Sequence, residues 1–312
     1  MTKIKNSEEV LNQLVIDYLH NAKKKRKWRW VWRSMSLLFL AWVVVSAFVT
    51  HHEEISAKIN PHVGVIDIKG QIMDNQSANA DNLAESLKMA YESKGLKALV
   101  FRIDSPGGSP VQADYMFNSI RHYQSKYPEV KTYAVCADIC ASAAYYIAAA
   151  AHDIYADPSS IVGSIGVIYN GFGFVDTMEK LGVSRRLVTA GSHKGFLDQF
   201  SPEKPEERAY LQKVLDTVHT QFINQVKIGR GSRIKIDDQT FSGLFWTGMQ
   251  AKERGLIDGF GSTADVGREV VGIDKFVDYT TKESVLDLLA KNVSASVIGS
   301  LPEALGLKPT IS

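Results

Sequence analysis

The sequence predicts an α/β domain built on a largely parallel sheet, and three observations carry that expectation. From residue 62 onward, short apolar and β-branched runs alternate with stretches of helical spacing. Glycine-containing turns such as Asp104-Ser105-Pro106-Gly107-Gly108 separate them. The chain has 312 residues, 45% hydrophobic and 22% charged, enough to bury a full core. Alternation of this kind places helices over a sheet of parallel strands.

The elements follow in order. Residues 6–22 read as an amphipathic helix, capped by Asn6 or Ser7, with Val10, Leu11, Leu14, Val15, Tyr18 and Leu19 on one face. Lys23, Lys24, Lys25, Arg26, Lys27, Arg29 and Arg33 then crowd together. Without them the remainder is mildly acidic, which argues against a nucleic-acid partner. Ser34 to Thr50 carries no charge, and as a helix it covers about 25 Å. Trp28, Trp30 and Trp32 suit a membrane interface, so 34–50 is expected to be a single transmembrane anchor. With the basic residues before the span, residues 1–33 are expected in the cytoplasm and the rest outside it, at the cell's inner membrane. The rival reading is a cleaved signal peptide with Val45-Ser46-Ala47 at its cleavage site; the long leader favours an anchor. Residues 51–61 read as a linker. Its His51-His52-Glu53-Glu54 run points in several directions, so no metal site is expected.

Within residues 62–275, strands are expected at His62–Ile68, Ala98–Ile103, Lys131–Val135, Asp153–Ala156, Gly163–Tyr169 and Arg186–Thr189. Helices are expected at Asp81–Glu92, Val111–Tyr127, Ser142–Ala151, Val175–Leu181 and Ala251–Leu256. A longer one carries Tyr210, Leu211, Val214, Leu215, Val218, Phe222 and Val226 on one face. Residues 276–312 read as a helical tail that can pack on a neighbour.

Three small-residue segments carry the chemistry. Gly107 and Gly108 end a strand in a turn that opens a helix, where backbone N–H groups can hold an oxyanion, although Pro-Gly is also a common ordinary turn. Ser142 sits where a strand gives way to an Ala-rich helix, so its hydroxyl is either a plain N-cap or a nucleophile in the field of the free N–H groups. Gly163-Ser164-Ile165-Gly166 marks either a close backbone approach or a simple bulge. No histidine pattern supplies a base. Lys194, among small residues in Ala190-Gly191-Ser192-His193-Lys194-Gly195, is a place for a partly buried lysine that can do so. Cys136 and Cys140 make neither a disulfide framework nor a four-ligand zinc site. They are two small buried hydrophobes, or a local disulfide if a turn brings them within range.

Read in order, Asp-Ser-Pro-Gly-Gly, Ala-Ser-Ala-Ala-Tyr-Tyr-Ile-Ala-Ala, Val-Gly-Ser-Ile-Gly-Val-Ile and Ala-Gly-Ser-His-Lys resemble the signal peptide peptidase A and SohB family of membrane-anchored serine peptidases. The downstream Ala251-Lys252-Glu253-Arg254-Gly255-Leu256-Ile257-Asp258 resembles that family's closing segment, so the likeness runs from about residue 62 to 270. The resemblance implies Ser142 as nucleophile, Lys194 as general base and Ser164 as the hydroxyl orienting that lysine. It also implies an oxyanion hole from Gly107 or Gly108 and Ala143. It implies a crotonase/Clp-type spiral of ββα units, a homo-oligomer around a chamber, and peptide substrates such as signal peptides; no cofactor and no metal are expected. Ala143-Ala144 departs from the Gly-Gly usual after the nucleophile. A catalytically silent scaffold of the same fold is the alternative. An acyl-CoA enzyme of crotonase type ranks last, because its substrate is cytoplasmic.

Overall fold

A computed structural model describes residues 58–281, with single positions and short runs between Leu11 and Ser46. The chain divides into two compact units, residues 1–57 and 58–312. In the first, the described positions are helical, among them 32–36, 38–43 and 45–46. Apolar side chains there stand in the open, including Leu38, Phe39 and Trp42. Ser36 Oγ donates to the Trp32 carbonyl at 2.9 Å. Among the described residues no helix is long and apolar enough to cross a membrane. The remaining residues of the 34–50 segment, most of 6–22 and the 282–312 part of the tail lie outside the described residues.

The second unit is a mixed α/β fold around one sheet, in the order β6 (Phe245–Thr247), β5 (Ile161–Gly163), β3 (Lys131–Ala141), β2 (Leu96–Ser105), β1 (His62–Lys69) and β8 (Phe276–Asp278). Strands β1 (His62–Lys69), β2 (Leu96–Ser105) and β3 (Lys131–Ala141) form its parallel centre. They are buried on both faces, which is why they read as nearly continuous apolar runs. Helix α1 (Ala80–Tyr91) starts at Asn79, whose side chain accepts from the Asn82 N–H, and buries Leu83, Leu87 and Ala90. Helix α2 (Pro110–Lys126) opens with Pro110 after Ser109 and buries Ala113, Met116, Phe117 and Ile120. Gln124 on α2 donates to Thr132 Oγ1 at 2.6 Å, which fixes the helix-covered face of the sheet. The opposite face gathers Val63, Ala98, Val100, Tyr133 and Val135 under Val266.

Strand β3 serves two neighbours. Its first half pairs with β4 (Asp153–Ala156) and its last residues with β5 (Ile161–Gly163), both parallel. Between the halves the register against β2 slips, and Asp138 and Ile139 are pushed into the open. The Ile139 N–H donates to Asp104 Oδ1 at 3.3 Å, and Ser160 Oγ donates to the Ala137 carbonyl, so the bulge is held on both sides. Helix α3 (Ala143–Ala148) follows, then α4 (Val175–Lys180) and α5 (Pro205–Arg230). Antiparallel β6 (Phe245–Thr247), α6 (Gly248–Glu253), β7 (Gly259–Phe260), α7 (Thr263–Asp265) with a π-helical turn at Val266–Val271, and β8 (Phe276–Asp278) complete the unit.

Two expected strands are not formed. Residues 164–169 leave the ladder because β5 already pairs with β6 and Ser164 turns the chain at φ 51°. Residues 186–189 have no strand beside them and stay irregular and exposed. Strand β3 instead runs to Ala141, past the expected end at Val135; the bulge breaks the alternation that would have announced the extension.

Candidate active site

Ser142 stands at the corner between β3 and α3. Its backbone sits at φ 55°, ψ −126°, a conformation costing a non-glycine residue on the order of 1–3 kcal/mol. Both flanks impose it. The Ser142 N–H donates to the Gly163 carbonyl at 2.8 Å, and its own carbonyl accepts from the Tyr146 N–H at 3.0 Å. The side chain makes no capping bond, so the plain N-cap expectation fails and the hydroxyl is left for other use. Every residue of α3 is buried, and two tyrosines fix it. Tyr145 Oη donates to the Leu256 carbonyl and Tyr146 Oη to Asp114 Oδ1, each at 2.7 Å. Burial, followed by the Asp114 contact, pushes the Tyr146 phenol well above its ordinary range, so it stays a donor.

The glycine turn meets this corner directly. A Cβ on Gly107 would come within 2.7 Å of Ser142 Cβ and 3.0 Å of the Ala143 nitrogen, so only glycine fits. The Gly107 N–H donates to Ser105 Oγ at 3.1 Å, and its carbonyl accepts from Ile72. Among the described residues the Gly108 and Ala143 N–H groups meet no protein acceptor. The two glycines therefore divide the task. Gly107 lets the strands close on Ser142, and Gly108 keeps an open donor.

Ser164, half-buried, turns at φ 51° and donates its N–H to the Leu244 carbonyl at 2.8 Å. It follows directly on Gly163, the acceptor of the Ser142 amide, so the second and third motifs meet at Ser142. Lys194 lies on a turn of its own. It is exposed rather than partly buried, in a turn closed by its N–H on the Gly191 carbonyl at 3.1 Å. Among the described residues no hydrogen bond or ion pair links it to Ser142 or Ser164.

The reason lies in the segment that carries Lys194. No residue between Ile165 and Glu207 is buried, so the stretch forms an exposed arch without a core of its own. With α5 it lines a half-open cavity of 830 Å³, bordered by Phe172, Leu187, Leu197 and Leu211. Phe174 stacks on Phe200 at 5.5 Å, and Arg185 pairs with Asp198 at 3.2 Å. One residue that the sequence did not single out pins the arch. Glu207, 5% exposed, accepts the Leu197 N–H at 3.0 Å and pairs with Lys204 at 3.1 Å. The Leu197 contact, then Lys204, pulls its carboxyl below the usual range. Leu197 is held at φ 52° by this bond. Glu207 was hidden because a Glu in a helix's first turn reads as an ordinary response to the helix dipole.

Two glycine-bearing turns, at Gly107 and at Gly163, thus meet at a strained serine on the end of a parallel strand. A family model described as Peptidase family S49 matches residues 124–271. A putative protease of Synechocystis sp. is 34% identical over 200 residues, covering 64% of this chain and 70% of that protein. The chain belongs to peptidase family S49. A putative signal peptide peptidase SppA of Enterococcus faecium is 28% identical over 252 residues, 80% of this chain and 72% of that protein. A Brucella melitensis protein named Na(+)/H(+) antiporter NhaA is 39% identical over 219 residues; the match takes in 69% of this chain but spans only 30% of that protein.

Proposed function

We propose that the chain is a membrane-anchored serine peptidase working through Ser142 and Lys194. The observation that carries this reading is the Ser142 hydroxyl, uncapped on a strained corner against Gly107. In the proposed reaction Lys194, neutral, takes the Ser142 proton as the oxygen attacks a peptide carbonyl. The Gly108 and Ala143 N–H groups receive the oxyanion, and Ser164 orients the lysine. The amine product leaves, and water, activated by the same lysine, releases the acyl group.

The reaction needs Lys194 at the serine, and the exposed apolar residues of the arch favour assembly as the means of holding it there. Ile168, Phe172, Leu181 and Val188 are all exposed, Val188 at 95%. A homo-oligomer of crotonase/Clp-like spiral domains would bury them around a shared chamber. Exposed Leu38, Phe39 and Trp42 support a membrane anchor in residues 34–50, which would hold the domain on the extracytoplasmic side of the inner membrane. Substrates there would be signal peptides or other membrane-derived peptides.

A fluorophosphonate probe and a fluorogenic peptide test the reading. Ser142→Ala should lose labelling, and both Ser142→Ala and Lys194→Ala should lose peptide cleavage by about 10⁴-fold or more. Mixing the two inactive variants should restore cleavage if the dyad spans two copies, and not if it closes within one. Full cleavage by Lys194→Ala removes the lysine from the mechanism. Because no hydrogen bond or ion pair links Lys194 to Ser142 among the described residues, a silent scaffold is the second reading. Absence of both labelling and cleavage in the assembled protein would establish it.

A further inference from the structure

The β3 bulge has brought two residues together that the peptidase chemistry does not use. Cys136 lies opposite Ile103 and Cys140 opposite Ser105, so four residues of β3 span the rise of two residues of β2. That rise is about 6.6 Å, inside the Cα separation that a disulfide can bridge. Residues opposite each other in a parallel pair point to the same face, so both thiols lie on the helix-covered side, as Ile103 and Ser105 do. Both cysteines are free and buried, at 1% and 0% exposure. Their side chains interact with each other, and both lie close enough to Tyr145 of α3 to act on its phenol.

We propose that Cys136 and Cys140 form a disulfide-closing pair beneath Ser142, oxidised by exchange with a small-molecule disulfide, and that closure slows the reaction of Ser142. One cysteine thiolate attacks the reagent's sulfur and expels a thiolate. The second cysteine then attacks the cysteine-side sulfur of the mixed disulfide and expels the other. The chain loses two protons and two electrons, and the reagent becomes two thiols. The coupling to Ser142 is short. Cys140 pairs with Ser105 on one side and Val162 on the other, and Ala141 alone separates it from the serine. Drawing the two Cα atoms from the ladder spacing toward the preferred disulfide spacing shifts that end of the strand by about 1 Å or less. A displacement of that size beside a reacting atom is enough for roughly tenfold in rate. Burial, and then the neighbouring Cys136, raise the Cys140 thiol well above its ordinary value, so exchange waits on opening of the strand.

The test treats the full chain with oxidised glutathione, in buffer and in guanidinium just below the unfolding midpoint, and then traps thiols with N-ethylmaleimide after denaturation. The expected product has lost about 2 Da and takes no maleimide, whereas Cys136→Ser and Cys140→Ser each keep one reactive sulfur. Two maleimides under both conditions, or accumulation of glutathione mixed disulfides, would overturn the pairing. In the second readout, the oxidised chain should label with fluorophosphonate roughly tenfold more slowly, recover with dithiothreitol, and be insensitive to glutathione in Cys136→Ser. An unchanged rate in the closed form would overturn the coupling. Only this readout rests on Ser142 being the nucleophile. If the reduced chain does not label, the peptidase reading has failed, and the mass measurement still decides the disulfide.

Discussion

Ser142 pays for its position in backbone strain, and a substitution pair isolates that strain. Glycine adopts φ 55° without a Cβ penalty, whereas alanine keeps it. Ser142→Gly should therefore be more stable than Ser142→Ala by about 1 kcal/mol, although both are inactive, read from urea midpoints at equal slope. Equal midpoints would mean that the corner is relaxed. The serine itself was legible in the sequence, as a lone hydroxyl among small residues after an apolar run. Its strained backbone was not, because the Gly163 carbonyl that holds the Ser142 N–H comes from a strand more than twenty residues on. The choice between Gly107 and Gly108 as donor was likewise open, since it depends on Ser105 Oγ engaging the Gly107 N–H.

At the scale of elements, periodicity located β1, β2, α1 and α2 to within about two residues, because each buries its own apolar pattern against a neighbour. It failed where pairing decides the outcome. The 164–169 and 186–189 runs have strand-like composition but no free ladder edge beside them. Lys194 is exposed for a different reason: small neighbours suggest a tight site, yet the arch lacks a core. Glu207 is the element's fastening. Glu207→Ala should free the Leu197 N–H and speed trypsin cleavage between residues 185 and 204 severalfold. Glu207→Gln, which keeps an acceptor for that N–H, should fall between the two. Cleavage of all three chains at one rate would show that the carboxylate does not hold the arch.

Across the whole second unit, one buried ion pair closes the structure. Arg230, its side chain 0% exposed, donates to both carboxylate oxygens of Asp258 at 2.6 and 2.9 Å and to the Gly255 carbonyl at 3.0 Å. This ties the end of α5 to the segment before β7, where Asp258 also accepts the Ile154 N–H from β4. Burial alone would raise the Asp258 carboxyl, but Arg230, by hydrogen bond and charge, leaves it below its ordinary value. A carboxyl lowered by folding contributes stability above its unfolded value near 4, and that contribution drains away as pH falls through the lower folded value. Asp258→Asn leaves Arg230 buried without its counter-charge and should cost about 3–5 kcal/mol at pH 7. The gap to the unmodified chain should narrow below pH 4, measured by urea unfolding across pH. A pH-independent gap would assign the loss to packing alone.

The arch that carries Lys194 has a consequence for how such a chain can change over time. Nothing between Ile165 and Glu207 enters the core, and its two feet are tied separately, one at the Gly163 ladder and the other through α5 at Asp258. Substitutions in that stretch are therefore nearly invisible to folding and are felt through whatever the arch touches. Apart from Lys194, selection can reshape its surface residue by residue while the sheet beneath, with its strained serine, is inherited unaltered.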